Sequence, residues 1–179
     1  MVSAFVSALN PGVAPRNHQR KELPENILVA YTTNKCRDDM TKVTKAIKEG
    51  VNVLIWSFVS FVPKDDTDEA TVTTAPNPTC RPGVKIKAEL DLSNYRQYRE
   101  ELRRLGFHNV VHLVAFGGWN GPHILSGYSS EELFGAFNDF NMQNNDNALD
   151  GPLFDGIDWD LEGEITMSIE HLLLLPWNC

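Results

Sequence analysis

The sequence predicts an α/β chain made of βα units around a parallel sheet. Short, unbroken apolar runs, the pattern of strands buried on both faces, recur along it. Segments with a helical apolar period separate them. At 179 residues, 42% of them hydrophobic, the chain is long enough to bury a core.

Residues 1 to about 23 mix Pro, Gly, Asn and basic side chains without periodicity and are expected to form a mobile lead-in. Ile27-Leu28-Val29-Ala30-Tyr31 is the first strand. Asp38 or Asp39 can cap a helix that shows Met40, Val43 and Ile47 on one face and stops at Gly50. Val51 to Val59 is the second strand. Pro63 to Lys87, rich in Asp, Thr and Pro, is expected to be a surface insertion without an element of its own.

Ser93 is expected to cap the next helix, with Tyr98, Leu102 and Leu105 on one face and Gly106 at its end. Val110 to Phe116 is the third strand. Ser129-Ser130-Glu131-Glu132 is a capping box opening a helix that shows Leu133, Phe137 and Phe140. Leu153 to Leu161 is the fourth strand.

Sixteen basic against 24 acidic residues give a net charge of −8, with no basic stripe, which argues against a nucleic-acid partner. Nothing is long and apolar enough to span a membrane. Met1 to Leu9 lacks a basic n-region and makes a weak signal peptide. Cys36, Cys80 and Cys179 show neither paired metal-ligand spacing nor a disulfide framework, so the redox compartment stays open.

The chemistry lies on the fourth strand. Alternate strand residues share a face, so Asp158, Asp160 and Glu162 point one way and Ile157, Trp159 and Leu161 the other. At a rise of about 3.3 Å per residue, neighbouring acids stand about 6.5 Å apart. Three ionised carboxylates that close repel one another, and the least costly arrangement keeps at least one protonated near neutral pH. A protonated acid at a cleft is what cleavage of an acetal needs, because the leaving oxygen must take up a proton. The C-terminal end of a strand is also where parallel barrels place their active sites.

Asp158, Asp160, Glu162 and Gly163 also imitate the first half of an EF-hand loop. The twelfth position, however, holds Ile169 instead of the bidentate Glu that calcium requires. A solvated acidic loop is disfavoured by the apolar residues that alternate with the acids, and a buried row of three acids serves stability poorly.

The run Phe154-Asp155-Gly156-Ile157-Asp158-Trp159-Asp160-Leu161-Glu162 resembles, position for position, the signature of family 18 glycoside hydrolases, the chitinases and their relatives. Val114-Ala115-Phe116-Gly117-Gly118-Trp119-Asn120 resembles the family's third-strand S-x-G-G motif, with Ala115 where Ser is usual. The looser likeness covers residues 27 to 163. It implies a TIM (β/α)8 barrel that cleaves β-1,4-linked N-acetylglucosamine polymers with retention, the substrate supplying its own nucleophile.

Under that resemblance Glu162 is the general acid and then the base. Asp160 holds the acetamide N–H, and Asp158 shares a proton with Asp160. Asp155, out of phase with these three, is structural, as are Gly156 and Gly117. Chitin or its oligosaccharides are the implied partners, and no cofactor or metal is implied. Trp119 is the first candidate for stacking on sugar, then Tyr31 and Phe58, with Gly118 beside them. Trp56 and Trp159 are assigned to packing, and His112 is read as a satisfied buried histidine.

A complete barrel takes about 250 residues, and this chain reaches only a fourth strand. Residues 24–163 are therefore expected to form the N-terminal half of the barrel, about four βα units, followed by a tail, 164–179, that does not resemble the family. Such a half exposes strand edges and would need a second copy or a partner half. The expectation is a truncated, alternatively spliced or incompletely predicted form with little activity. Three alternatives stay open: a chitin-binding lectin of the same fold, a hydrolase of the chitobiose core of N-glycans, and a non-catalytic fragment that docks on a relative. Secretion is expected from the resemblance alone.

Overall fold

The computed structural model describes residues 21–33, 39–64, 83–118, 127–142 and 151–160. Residues 1–20 of the lead-in, residues 161–163, the tail 164–179 and all three cysteines lie outside the described residues. Residues 21–23 correct the expectation of a mobile lead-in up to 23, because Lys21 bonds to Val110 O and Leu23 packs on the sheet. In chain order the elements are β1 (Val29–Thr32), α1 (Asp39–Lys48), β2 (Val53–Pro63), β3 (Val84–Ala88), α2 (Leu92–Arg104), β4 (Val111–Gly117), α3 (Ser130–Met142) and β5 (Gly156–Asp160).

Four strands run parallel in the order β1-β2-β4-β5, so the parallel path grows in one direction as the chain proceeds. Val29 pairs with Val53, Val53 with Val111, and Leu113 with Gly156. The fifth strand corrects two expectations, that all strands would be parallel and that Pro63 to Lys87 would hold no element. β3 runs antiparallel to the C-terminal half of β2, from Val59↔Ala88 to Pro63↔Val84. Its buried Val84 and half-buried Ile86 and Ala88 alternate with Lys85 and Lys87, the two-residue period of a strand packed on one face. That short alternation closes a long polar stretch, which hides it in a window wide enough to show a helix.

All three helices pack on one face of the sheet. Val43 and Ile47 of α1, Tyr95, Tyr98 and Leu102 of α2, and Leu133, Ala136, Phe137 and Phe140 of α3 join Leu54, Trp56, Val114, Phe116 and Ile157 in one core. A doubly wound sheet would carry helices on both faces. The opposite face buries Val53, Ile55, Val111, Leu113 and Ala115, with Leu23 and Phe58 packed against them.

Of the two candidate caps of α1, Asp39 is the first residue of the helix and Asp38 lies outside the described residues. The signals of α2 and α3 hold with two corrections. Ser129 and Glu132 form the expected reciprocal box: Ser129 N donates to Glu132 Oε2 at 2.7 Å and Glu132 N to Ser129 Oγ at 3.3 Å. The cap of α2 is Asp91 and not Ser93, because Asp91 Oδ1 accepts from both Ser93 N and Asn94 N. Leu105 is the C-cap of that helix and stays 43% exposed, since the chain turns away at Gly106 (φ +89°) before Leu105 can join the buried face.

Trp56 and Trp159 pack as expected. Trp56 is fully buried, edge-on to Tyr95 with centroids 4.8 Å apart. Its Nε1 donates to His112 Nδ1 at 3.1 Å. His112 is 3% exposed, and burial, aided by the nearby charges of Arg99 and Lys21, holds its pKa well below 6.5. Neutral His112 can therefore accept from the indole. Trp159 packs on Phe61 and Phe116.

Asn141 Oδ1 accepts from Phe154 N at 2.8 Å and its Nδ2 donates to Phe154 O at 3.1 Å. This splices the end of α3 to the start of β5. Asn141→Ala leaves both buried backbone groups unpaired and is expected to cost about 2–4 kcal/mol in urea unfolding. The His112 linkage has a definite sign. The folded pKa is depressed, so its contribution is whole above 6.5 and is lost as pH falls toward the folded value, because only the unfolded chain takes up the proton. Wild-type stability should fall by up to about 1.4 kcal/mol per pH unit through that window. His112→Gln should show a shallower slope in melting temperature against pH.

Candidate active site

The parallel register gathers one set of side chains on the face without helices. Tyr31 is level with Ile55, Ile55 with Leu113, Ala115 with Asp158, and Gly117 with Asp160. Asp158 is 2% exposed and Asp160 8%. The two carboxylates thus share one face at the C-terminal end of β5, as their spacing predicts, and both are withdrawn from water.

Asp158 Oδ2 accepts a hydrogen bond from Tyr31 Oη at 2.7 Å. β1 and β5 are the two ends of the parallel path, with β2 and β4 between them. In a flat sheet three inter-strand steps of about 4.8 Å would separate them by about 14 Å. Side chains standing off a flat sheet do not close such a gap sideways, so the sheet curls with this face concave. The sequence marks Tyr31 as an aromatic for sugar stacking. The structure gives it a polar partner, which nothing local to Tyr31 could reveal.

At the same end of the sheet β2 carries an extra residue. Trp56 is level with Val114 and Val59 with Phe116, so Ser57 and Phe58 together oppose Ala115. Such a bulge re-aims a side chain, and Phe58 turns to pack on the concave-face cluster. Its ring lies against Gly118, where an added Cβ would meet Phe58 Cζ at 2.9 Å. Gly118 has φ +88° and donates its N–H to Asp160 O at 2.7 Å. One glycine therefore makes room for the Phe58 ring and holds the backbone of a candidate acid. Gly117, φ +109°, is level with Asp160.

Ala115, fully buried and level with Asp158, brings a methyl and no hydroxyl to the carboxylate's neighbour position. Asp155 stands apart from the acid pair, at the opposite end of β5. Its Oδ2 accepts from His112 N at 2.8 Å and its N–H donates to His112 O at 2.7 Å, which clamps β5 to β4. Lys21 Nζ (3.4 Å) and Arg99 (3.8 Å) balance its charge. Gly156, buried and level with Leu113, follows it. Glu162 and Trp119 lie outside the described residues. Among the described residues no three His, Cys, Asp or Glu side chains converge as a metal site would require, and no helix is long and apolar enough to cross a membrane.

No protein-family model, curated protein or solved structure matches this chain.

Gly118→Ala is expected to destabilise the chain by about 2 kcal/mol, from backbone strain and the clash with Phe58. Pairing it with Phe58→Ala should recover the clash portion but not the strain. A double-mutant cycle by chemical denaturation measures that coupling.

Proposed function

We propose that the concave face carries the acid side of a chitinase-type glycoside hydrolase site, built on four strands of a (β/α)8 barrel. The observation that carries this reading is the buried Asp158–Asp160 pair at the C-terminal end of β5, with Asp158 engaged by Tyr31 from the far strand. The sequential parallel strand order, the helices on one face and the curl toward the other support the barrel. Further strands set against the edges of β1 and β5 would continue the barrel.

In this mechanism Glu162, two residues beyond Asp160 in the sequence, gives its proton to the glycosidic oxygen. The substrate's N-acetyl carbonyl oxygen attacks the anomeric carbon as that bond breaks, forming an oxazolinium ion. Asp160 accepts the acetamide N–H and balances the positive charge that develops. With Oδ2 engaged by Tyr31, the proton that Asp158 shares with Asp160 belongs on its other oxygen. Glu162, now ionised, takes a proton from water as the water opens the ring and restores the starting configuration. Phe58 and Trp119 supply apolar surface for a sugar face. A second reading, a chitin-binding protein of the same architecture, draws on Ala115, which offers Asp158 no hydroxyl.

The deciding assay is hydrolysis of a fluorogenic chitooligosaccharide by each gel-filtration species of the folded chain. Wild-type turnover that drops on the order of 10²–10⁴-fold in Glu162→Gln and in Asp160→Asn is the expected result. Oligosaccharide binding without turnover would select the binding reading. A folded chain that neither binds nor cleaves would overturn both.

A further inference from the structure

The acid face is spanned twice, at opposite ends of the sheet. At the C-terminal end Tyr31 reaches Asp158. At the N-terminal end the chain just before β1 crosses the base of the same strands. Lys21 Nζ donates to Val110 O, beside the start of β4, at 2.7 Å and to Asp155 Oδ2, beside the start of β5, at 3.4 Å. Leu23, two residues on, packs against the concave-face cluster of β2 and β4 residues.

The crossing then reaches Asn52, at the base of β2. Asn52 Nδ2 donates to Asn26 O at 2.6 Å, Asn52 Oδ1 accepts from Leu28 N at 3.0 Å, and Asn52 N donates to Leu28 O at 3.0 Å. Asn52 O accepts from Val111 N at 3.0 Å, tying the same residue to β4. The segment from Lys21 to Leu28 is therefore a strap pinned under β5, β4 and β2 before it becomes β1.

We infer that Lys21 is a positioning residue for the acid pair, acting through this strap. A parallel ladder fixes the spacing of adjacent strands but leaves the angle between them soft, and small changes at each step add up across the sheet. The hydrogen bond from Tyr31 to Asp158 tolerates only a few tenths of an ångström. Something other than the ladder must fix the curl, and the strap joins the two strands whose separation the curl sets. Lys21 supplies the link to the β4–β5 end. Its side chain is 27% exposed, with the ammonium paired with Asp155 and close to Arg99, so the link is electrostatic as well as steric.

The inference rests on the hydrolase reading only for what the site does. Its test needs no turnover. Tyrosine labelled with 13C at Cζ is incorporated, and the Tyr31 resonance is assigned by its loss in Tyr31→Phe and referenced to its position in Asp158→Ala. Lys21→Met keeps the aliphatic stem and removes the ammonium, and is expected to move the resonance from the wild-type toward the Asp158→Ala position. Lys21→Arg should return it, and Leu23→Ala should move it in the same direction by a smaller shift. A resonance left at the wild-type position in Lys21→Met and Leu23→Ala overturns the inference, even if melting temperature falls, because Lys21 then only supports the fold. Should Lys21→Met not fold, Leu23→Ala decides on the same readout. A displaced resonance in a chain that never hydrolyses the chitooligosaccharide sinks the hydrolase reading and leaves the strap standing. A hydrolytic chain with an unmoved resonance does the reverse.

Discussion

A phenol on the first strand bonds to a carboxylate on the last, with two strands between them. That contact exists only because the sheet bends, and the bend explains much of the surrounding architecture. A sheet curved toward one face has its helices on the outside, where Trp56, Tyr95, Phe116, Phe137 and Phe154 fill the convex core. The inside of the curve leaves room for smaller, mostly branched side chains, Val53, Ile55, Val111, Leu113 and Ala115. The acids at the end of β5 then face inward and lose water because the curve closes around them, as burial of a polar row in a flat open sheet would not allow.

Burying two carboxylates that close is costly unless each finds polar partners. The fold concentrates that cost at one end of the sheet. At the other end, Asp155 spends its charge on a structural task, clamping β4 to β5 through the His112 backbone while Lys21 and Arg99 balance it. Within the six residues from Asp155 to Asp160, chemically identical groups meet opposite surroundings. The difference comes from phase and neighbours: Asp155 faces backbone donors and two cations, while Asp158 faces a phenol and a methyl. An apolar pair would pack more cheaply at these positions, and the proposed hydrolase reading is what gives the buried acids a use.

Glycine and bulge complete the acid end. The extra residue in β2 turns Phe58 inward, and only the absence of a side chain at Gly118 lets that ring lie where it does. The same glycine holds the Asp160 carbonyl, so the apolar wall and the acid pair are mechanically linked. The base of the sheet is joined with equal economy through Asn52, which satisfies strap, β2 and β4 from one residue.

The sequence by itself determined the periodic elements and the shared face of Asp158 and Asp160, because the pleat of a strand sets side-chain direction over a few residues. It also separated Asp155 from the acid pair by phase alone, identified the Ser129–Glu132 box, and assigned Trp56, Trp159 and His112 to packing. It missed β3, whose five-residue alternation is buried in a polar stretch, and it placed the α2 cap on Ser93 because Asp91 and Ser93 are equally good caps by type. What only the tertiary structure decided are the contacts between residues far apart in the chain: Tyr31 with Asp158, Phe58 with Gly118, and Lys21 with Asp155. Each depends on the curl and register of the whole sheet, and those are fixed by the sum of many weak contacts that no local window of sequence contains.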